Sequence, residues 1–196
     1  MLRGLLLAPP GAGKGTQGVG LAETYGVPYL ATGDLLRRHV ANDTRLGRQA
    51  KSYMDRGELV PDRLVLSLVY GQVWRMPGCV LDGLPRTLDQ ATEAYEWALA
   101  NRRTFHVVIS LLVPDAELVR RLVDRGLSSG RADDVESTIR RRLNVYREST
   151  EPLLEFYRVR GILVEVDGLG PVTNVTGRIC DALDEQRMAS PFNWYR

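Results

Sequence analysis

The sequence predicts an α/β fold, a three-layer sandwich around a five-stranded parallel sheet, and three observations carry that expectation. Five short apolar runs recur along the 196 residues. They are continuously apolar, not alternating, as strands covered on both faces are. Amphipathic segments of helical period lie between them, and the first strand runs directly into a glycine-rich turn that opens a helix.

The strands are expected at Leu2–Ala8, Pro28–Thr32, Gly78–Asp82, His106–Val113 and Ile162–Asp167. Helices are expected at Lys14–Tyr25, Asp62–Trp74, Leu88–Ala100 and, after Pro114, at Asp115–Arg125 with Leu118, Val119 and Leu122 on one face. The longest helix is expected to begin near Asp133 and to carry Val135, Ile139, Leu143 and Tyr146 on one stripe. Pro152 should start a new helical segment, since an interior proline would break the old one. Val172–Arg187 closes the domain, and the tail beyond it, with Phe192, Trp194 and Tyr195, is expected to pack on the body. Residues 1–196 read as a single domain.

Two stretches fit the alternation poorly. Thr32–Pro61 is too helical for a loop and too polar for the core, and Gly126–Asp134 reads as a short, flexible, polar connection. Inserts of this kind on an α/β core are where substrate clamps and lids sit.

Composition sets bounds. A hydrophobic share of 44%, a charged share of 26% and a net charge of +2 describe a globular domain with no general polyanion-binding surface. Cys79 and Cys180 are too few for a disulfide framework or a four-cysteine metal site, and Cys79 reads as a buried thiol. Neither a signal peptide nor a membrane span is expected, so the chain reads as cytoplasmic.

The turn after the first strand is Ala8-Pro9-Pro10-Gly11-Ala12-Gly13-Lys14-Gly15-Thr16. Small residues let the backbone curl so that its N–H groups point inward, and the helix N-terminus adds partial positive charge. A lysine is disfavoured at that end of a helix unless an anion is bound there. The general phosphate-loop pattern is missed at both ends, because Ala8 holds the place of the first glycine and Gly15 separates Lys14 from the hydroxyl of Thr16.

Asp82 ends the third strand, where a carboxylate faces the phosphate loop and can order Mg²⁺ and its waters. Arg37, Arg86, Arg121, Arg125, Arg131, Arg140 and Arg142 cluster at segment ends and in the inserts. Their planar forks suit phosphate. His39 and His106 fit no nucleophile–base spacing. Phosphoryl transfer onto a phosphate acceptor needs no base, because the attacking oxygen is already ionised.

These motifs, in this order, resemble the adenylate kinase family of nucleoside monophosphate kinases. Residues Pro10 to Gln17 are similar to that family's own phosphate loop, including the glycine after the lysine. Thr32-Gly33-Asp34-Leu35-Leu36-Arg37 resembles its monophosphate-binding signature, Asp82 to Gln90 its central segment, and Gly130-Arg131-Ala132-Asp133-Asp134 its lid. Arg142 to Tyr146 and Val166-Asp167-Gly168 continue the match to about residue 186.

The resemblance implies a P-loop kinase fold, with residues 32–61 as the monophosphate-binding insert and 126–134 as a short lid. It implies that Gly11, Ala12, Gly13, Lys14, Gly15 and Thr16 hold the ATP phosphates, with Arg121, Arg125 and Gly170 completing the ATP side. Thr32, Arg37, Glu58, Leu59, Val60, Gly83, Leu84, Pro85, Arg86, Gln90, Arg131 and Arg142 would form the AMP side. Lys14, Arg86, Arg125, Arg131 and Arg142 would be catalytic, and Asp82 would hold Mg²⁺ through water. The lid lacks the metal-ligating residues of some relatives, so no structural zinc is expected.

Thr32, Thr87 and Gln90 follow the adenylate branch, which makes AMP the expected acceptor. UMP, CMP or another monophosphate is the alternative, and a non-catalytic nucleotide-binding regulator is the reading from another class. No nucleic-acid or membrane partner is expected, and the protein is expected to be a monomer. Two departures stand out. Ala8 would strain the loop if its φ were positive. Leu84 replaces an aromatic residue and is expected to loosen packing beside the AMP pocket.

Overall fold

In the computed structural model, which describes residues 1–73, 75–129 and 135–189, five parallel strands form one sheet in the order β2-β3-β1-β4-β5. They are β1 (Arg3–Leu6), β2 (Tyr29–Ala31), β3 (Cys79–Asp82), β4 (Val107–Leu112) and β5 (Leu163–Asp167). Each of the five expected strands is present and one to three residues shorter than the apolar run that announced it. Thr32 is the exception in kind, since it opens a helix instead of ending a strand.

The helices are α1 (Lys14–Tyr25), α2 (Thr32–Ala41), α3 (Arg45–Asp55), α4 (Asp62–Val73) and α5 (Leu88–Ala100), then α6 (Asp115–Ser129), α7 (Glu136–Val145), α8 (Leu153–Arg158) and α9 (Val172–Ala189). Local chemistry sets their ends. Gly26, with φ 62°, stops α1, its N–H donating to the Glu23 carbonyl while that of Val27 returns to Ala22. The side chains of Thr44 and Thr87 accept from the backbone N–H of Gly47 and Gln90 and so cap α3 and α5.

Alternating strand residues fill two cores. Leu6, Val107 and Ile109 face Leu21 of α1, Leu122 of α6, Ile139 of α7 and Ile179 of α9. Leu5, Leu7 and Val108 face Leu36 of α2, Ala50 of α3, Val69 of α4, Ala91 of α5 and Leu153 of α8. Burying each large side chain contributes roughly 1.5–3 kcal/mol.

Several expectations need correction. Helix α6 runs on through Gly126 to Ser129, so the first part of the expected flexible connection is helical. Val135 does not belong to the buried stripe of α7, because it precedes the helix and is exposed. Among the described residues the longest helix is α9, with 18 residues. A π-helical turn at Tyr146–Thr150 joins α7 to the segment that Pro152 begins. Residues 32–61, too helical in sequence for a loop, hold α2 and α3. Residues 130–134, with Arg131, and 190–196, with Phe192, Trp194 and Tyr195, lie outside the described residues, as does Trp74.

Parallel pairing brings the strand ends to one edge. Leu6 is in register with Asp82, and Asp82 with Ala31. The loop after β1, the carboxylate ending β3 and the start of α2 therefore meet where connections from β1 and its neighbours run to opposite sides, the usual ligand crevice of such sheets.

Candidate active site

The loop after β1 is shaped by its glycines. Gly11 and Gly13 have φ of 86° and 96°, and a Cβ on Gly11 would lie 2.8 Å from the Leu118 carbonyl oxygen of α6. Gly13 has no side chain to cap α1, and no acidic residue occupies the first turn of that helix. The first N–H groups of α1 are thus left for an anion. Thr16 lies in that turn and is exposed. Ala8 is not strained: positive φ among the described non-glycine residues is confined to Asp43 and Arg102, and the Ala8 methyl is buried in the core.

Lys14 curls back over this loop, its Nζ donating to the carbonyls of Ala8 at 2.6 Å and Pro9 at 3.0 Å. Burial pushes its ammonium down to about 8, with Arg86, Arg142 and Arg125 adding to that effect and Asp82 opposing it. These charges are near because Lys14, Asp82, Arg86, Arg125 and Arg142, drawn from five separate segments, line one cleft. Asp82 accepts a hydrogen bond from the Tyr29 hydroxyl at 2.9 Å. Arg86 is held from both sides, its Nε donating to the Gly83 carbonyl at 2.8 Å and its own carbonyl accepting from the Thr150 hydroxyl at 2.8 Å.

Arg121 stands at the outer rim. Its Nε donates to Glu117 at 2.7 Å and its Nη2 to the Gly168 carbonyl at 3.1 Å, while Nη1 reaches the Ala12 carbonyl at 3.5 Å. Hydrogen bonds from Arg120 and Arg121 hold the Glu117 carboxyl down to about 2. The guanidinium thereby ties the loop to the connection between β5 and α9, in which Gly170 sits with φ 99°.

A second hollow opens beside the first, between the insert and the segment after β3. Thr32, Leu59, Val60, Gly83 and Gln90 line it, and Arg37, Arg86 and Arg142 line both. Thr32 is 1% exposed, and its hydroxyl has no hydrogen-bond partner among the described residues. Leaving such a group unsatisfied costs about 1–3 kcal/mol, so a polar ligand group is expected to meet it. Gln90, 2% exposed, presents an amide to the same hollow.

Some expected residues sit elsewhere. Leu84 is 2% exposed and packs in the second core, so it fills that core and does not line either hollow. Glu58 lies on the hollow, yet its carboxylate is taken by Arg56 at 2.9 Å and Arg141 at 3.4 Å, which hold it below the usual range. Arg140 pairs with Glu136 on the exposed face of α7. His39 bonds the Thr44 hydroxyl at 2.9 Å, and His106 is buried at the opposite end of the sheet.

Sequence reasoning missed Tyr29, Thr150 and Asp62. Tyr29 reads as one more apolar strand residue and Asp62 as a first-turn helix acid, and no sequence period announces the π turn that carries Thr150. The described residues hold no cluster of three or more His, Cys, Asp or Glu able to ligate a metal, and none of their helices is long and apolar enough to cross a membrane.

The family model for adenylate kinase matches residues 6–162. The chain is 47% identical over 185 residues to the adenylate kinase of Leifsonia xyli subsp. xyli, covering 93% of each. It is 50% identical over 176 residues to adenylate kinase 1 of Synechocystis sp., covering 88% of this chain and 92% of that one. With the adenylate kinase of Thermus thermophilus it shares 49% over 180 residues, covering 91% and 95%. The matched span contains the glycine loop, Asp82 and the arginines of α6 and α7, and the chain belongs to the adenylate kinase family.

Proposed function

We propose that this enzyme transfers the terminal phosphoryl group of ATP to AMP, giving two ADP, in a reversible Mg²⁺-dependent reaction. The observation that carries the reading is the convergence of Lys14, Arg86, Arg125 and Arg142 with Asp82 on one cleft that opens into the Thr32–Gln90 hollow. ATP phosphates would rest on the N–H groups of the loop and α1, with Lys14 drawn from the loop carbonyls onto the transferred group. Arg121 and Gly170 flank the side where the ATP base would lie. The AMP phosphate would meet Arg37, Arg86 and Arg142, with its base in the second hollow.

The acceptor oxygen is already ionised, so no base is required, and histidine has no part. Transfer then rests on alignment and on neutralising charge that spreads over the phosphoryl oxygens. The Asp82 carboxylate at the cleft fits Mg²⁺, which keeps most of its own waters. Asp82 would hold it, and the ion would supply further charge neutralisation when bound.

Turnover with MgATP and each of AMP, CMP, UMP, GMP and dTMP tests this reading. AMP should be strongly preferred, and Lys14→Ala should lose transfer by orders of magnitude while staying folded. A pyrimidine preference would overturn the AMP assignment. Silence with every acceptor would make the protein a nucleotide-binding regulator.

A further inference from the structure

Gln90 is held at both ends of its amide. Its Oε1 accepts the backbone N–H of Arg86 at 2.7 Å, and its Nε2 donates to Oδ1 of Asp62, 28 positions upstream at the start of α4. The other carboxylate oxygen of Asp62 faces the Thr87 hydroxyl at 3.5 Å, and Thr87 Oγ1 in turn accepts the Gln90 backbone N–H at 3.2 Å. Asp62 is not among the residues lining the hollow, so it stands behind Gln90 and acts only through it.

These partners dictate the amide's direction. A carboxylate only accepts and a peptide N–H only donates, so turning the amide by 180° would set two donors, and separately two acceptors, face to face. In the permitted orientation, one N–H and one carbonyl lone pair remain for a ligand in the hollow. A 6-amino purine offers a donor at its exocyclic nitrogen and an acceptor at N1. A 6-oxo purine offers an acceptor at O6 and a donor at N1, and only the turned amide would match it in the same pose.

We infer that Asp62 is a positioning residue for base choice, locking the Gln90 amide in the orientation that reads a 6-amino purine and rejects a 6-oxo one. The inference rests on the proposed reading of the second hollow as the seat of the acceptor base. A site built to pair with one hydrogen-bond pattern discriminates strongly against the reversed one, because its buried groups would be left unpaired.

The test compares AMP with inosine monophosphate, which differs from it only at position 6 and in the proton on N1, at saturating MgATP. Asp62→Ala removes the acceptor that faces Gln90 Nε2. Asp62→Ser keeps a helix-capping group and cannot span to Gln90, so it serves if the first variant does not fold. Either should lower the AMP-over-IMP ratio in kcat/KM by roughly tenfold, through the KM of the monophosphate, with the KM for ATP unchanged. An unchanged ratio in a folded variant would overturn the lock and leave Asp62 a helix-start residue. Gln90→Leu separates the two layers. If it lowers the ratio and the Asp62 variants do not, the lock alone fails, whereas a ratio untouched by Gln90→Leu removes the base-pocket reading and the lock with it.

Discussion

The hydroxyl of Tyr29 donates to Oδ2 of Asp82 across 2.9 Å, joining two residues 53 positions apart. Parallel pairing of β2 with β3 sets the approach, and Gly18 of α1 leaves the space, since a Cβ there would sit 2.3 Å from the Tyr29 ring. Burial and the neighbouring Asp82 push the phenol well above its usual range, so Tyr29 remains a donor at every working pH. One Asp82 oxygen is thus engaged by protein. Partners of this kind orient a carboxylate that serves a metal. Tyr29→Phe should raise the Mg²⁺ concentration for half-maximal turnover severalfold, with the KM for AMP unchanged. A Mg²⁺ titration identical to wild type would remove Tyr29 from this role.

Thr32 should give opposite signs for stability and binding. Its hydroxyl is buried without a hydrogen-bond partner among the described residues, so Thr32→Val removes a desolvated group and should stabilise the free protein by about 1 kcal/mol. The same change should weaken AMP, because the hydroxyl is poised for a ligand. Urea unfolding without nucleotide, set beside the KM for AMP, checks both. Lower stability together with an unchanged KM would refute the argument.

Lys14 predicts a basic limb in the pH profile. With its ammonium near 8 in the free protein, mainly through burial, the cation needed for phosphate is lost as pH rises through that value. The kcat/KM for ATP should therefore fall above about pH 8. Bound phosphate favours the charged form, so the limb in kcat should lie at higher pH. Coincident limbs in both parameters would count against Lys14 as the titrating group.

The strands and the glycine loop were legible because both follow from local chemistry. Buried parallel strands are continuously apolar, and Gly11 and Gly13 must adopt positive φ. The site was less legible wherever it depends on tertiary approach. Tyr29, Asp62 and Thr150 acquire their partners through residues 25 to 64 positions away, which no period in the sequence encodes. Arg140 and Arg142 look alike in sequence, and the helical turn separates them, one to an ion pair on the surface and one to the cleft. Gly126 reads as a stop, yet α6 continues through it, because one glycine costs a helix only about 1 kcal/mol.

His106 predicts how stability responds to acid. It is 2% exposed at the start of β4, with Nδ1 accepting the Arg3 backbone N–H at 3.3 Å. Burial, the Arg3 guanidinium and the chain's N-terminal ammonium hold its imidazolium form down at about 4, against about 6.5 unfolded. Between those values the unfolded chain binds a proton that the folded protein refuses, so stability rises with pH across the window and is lost on acidification from 6.5 to 4. The loss amounts to on the order of 3 kcal/mol. His106→Gln keeps an acceptor for Arg3 and does not titrate. Urea unfolding at pH 7, 6, 5 and 4 should therefore show a shallower pH slope for the variant, even if it is less stable at pH 7. Parallel slopes would mean that His106 protonates in the folded state as readily as in the unfolded one.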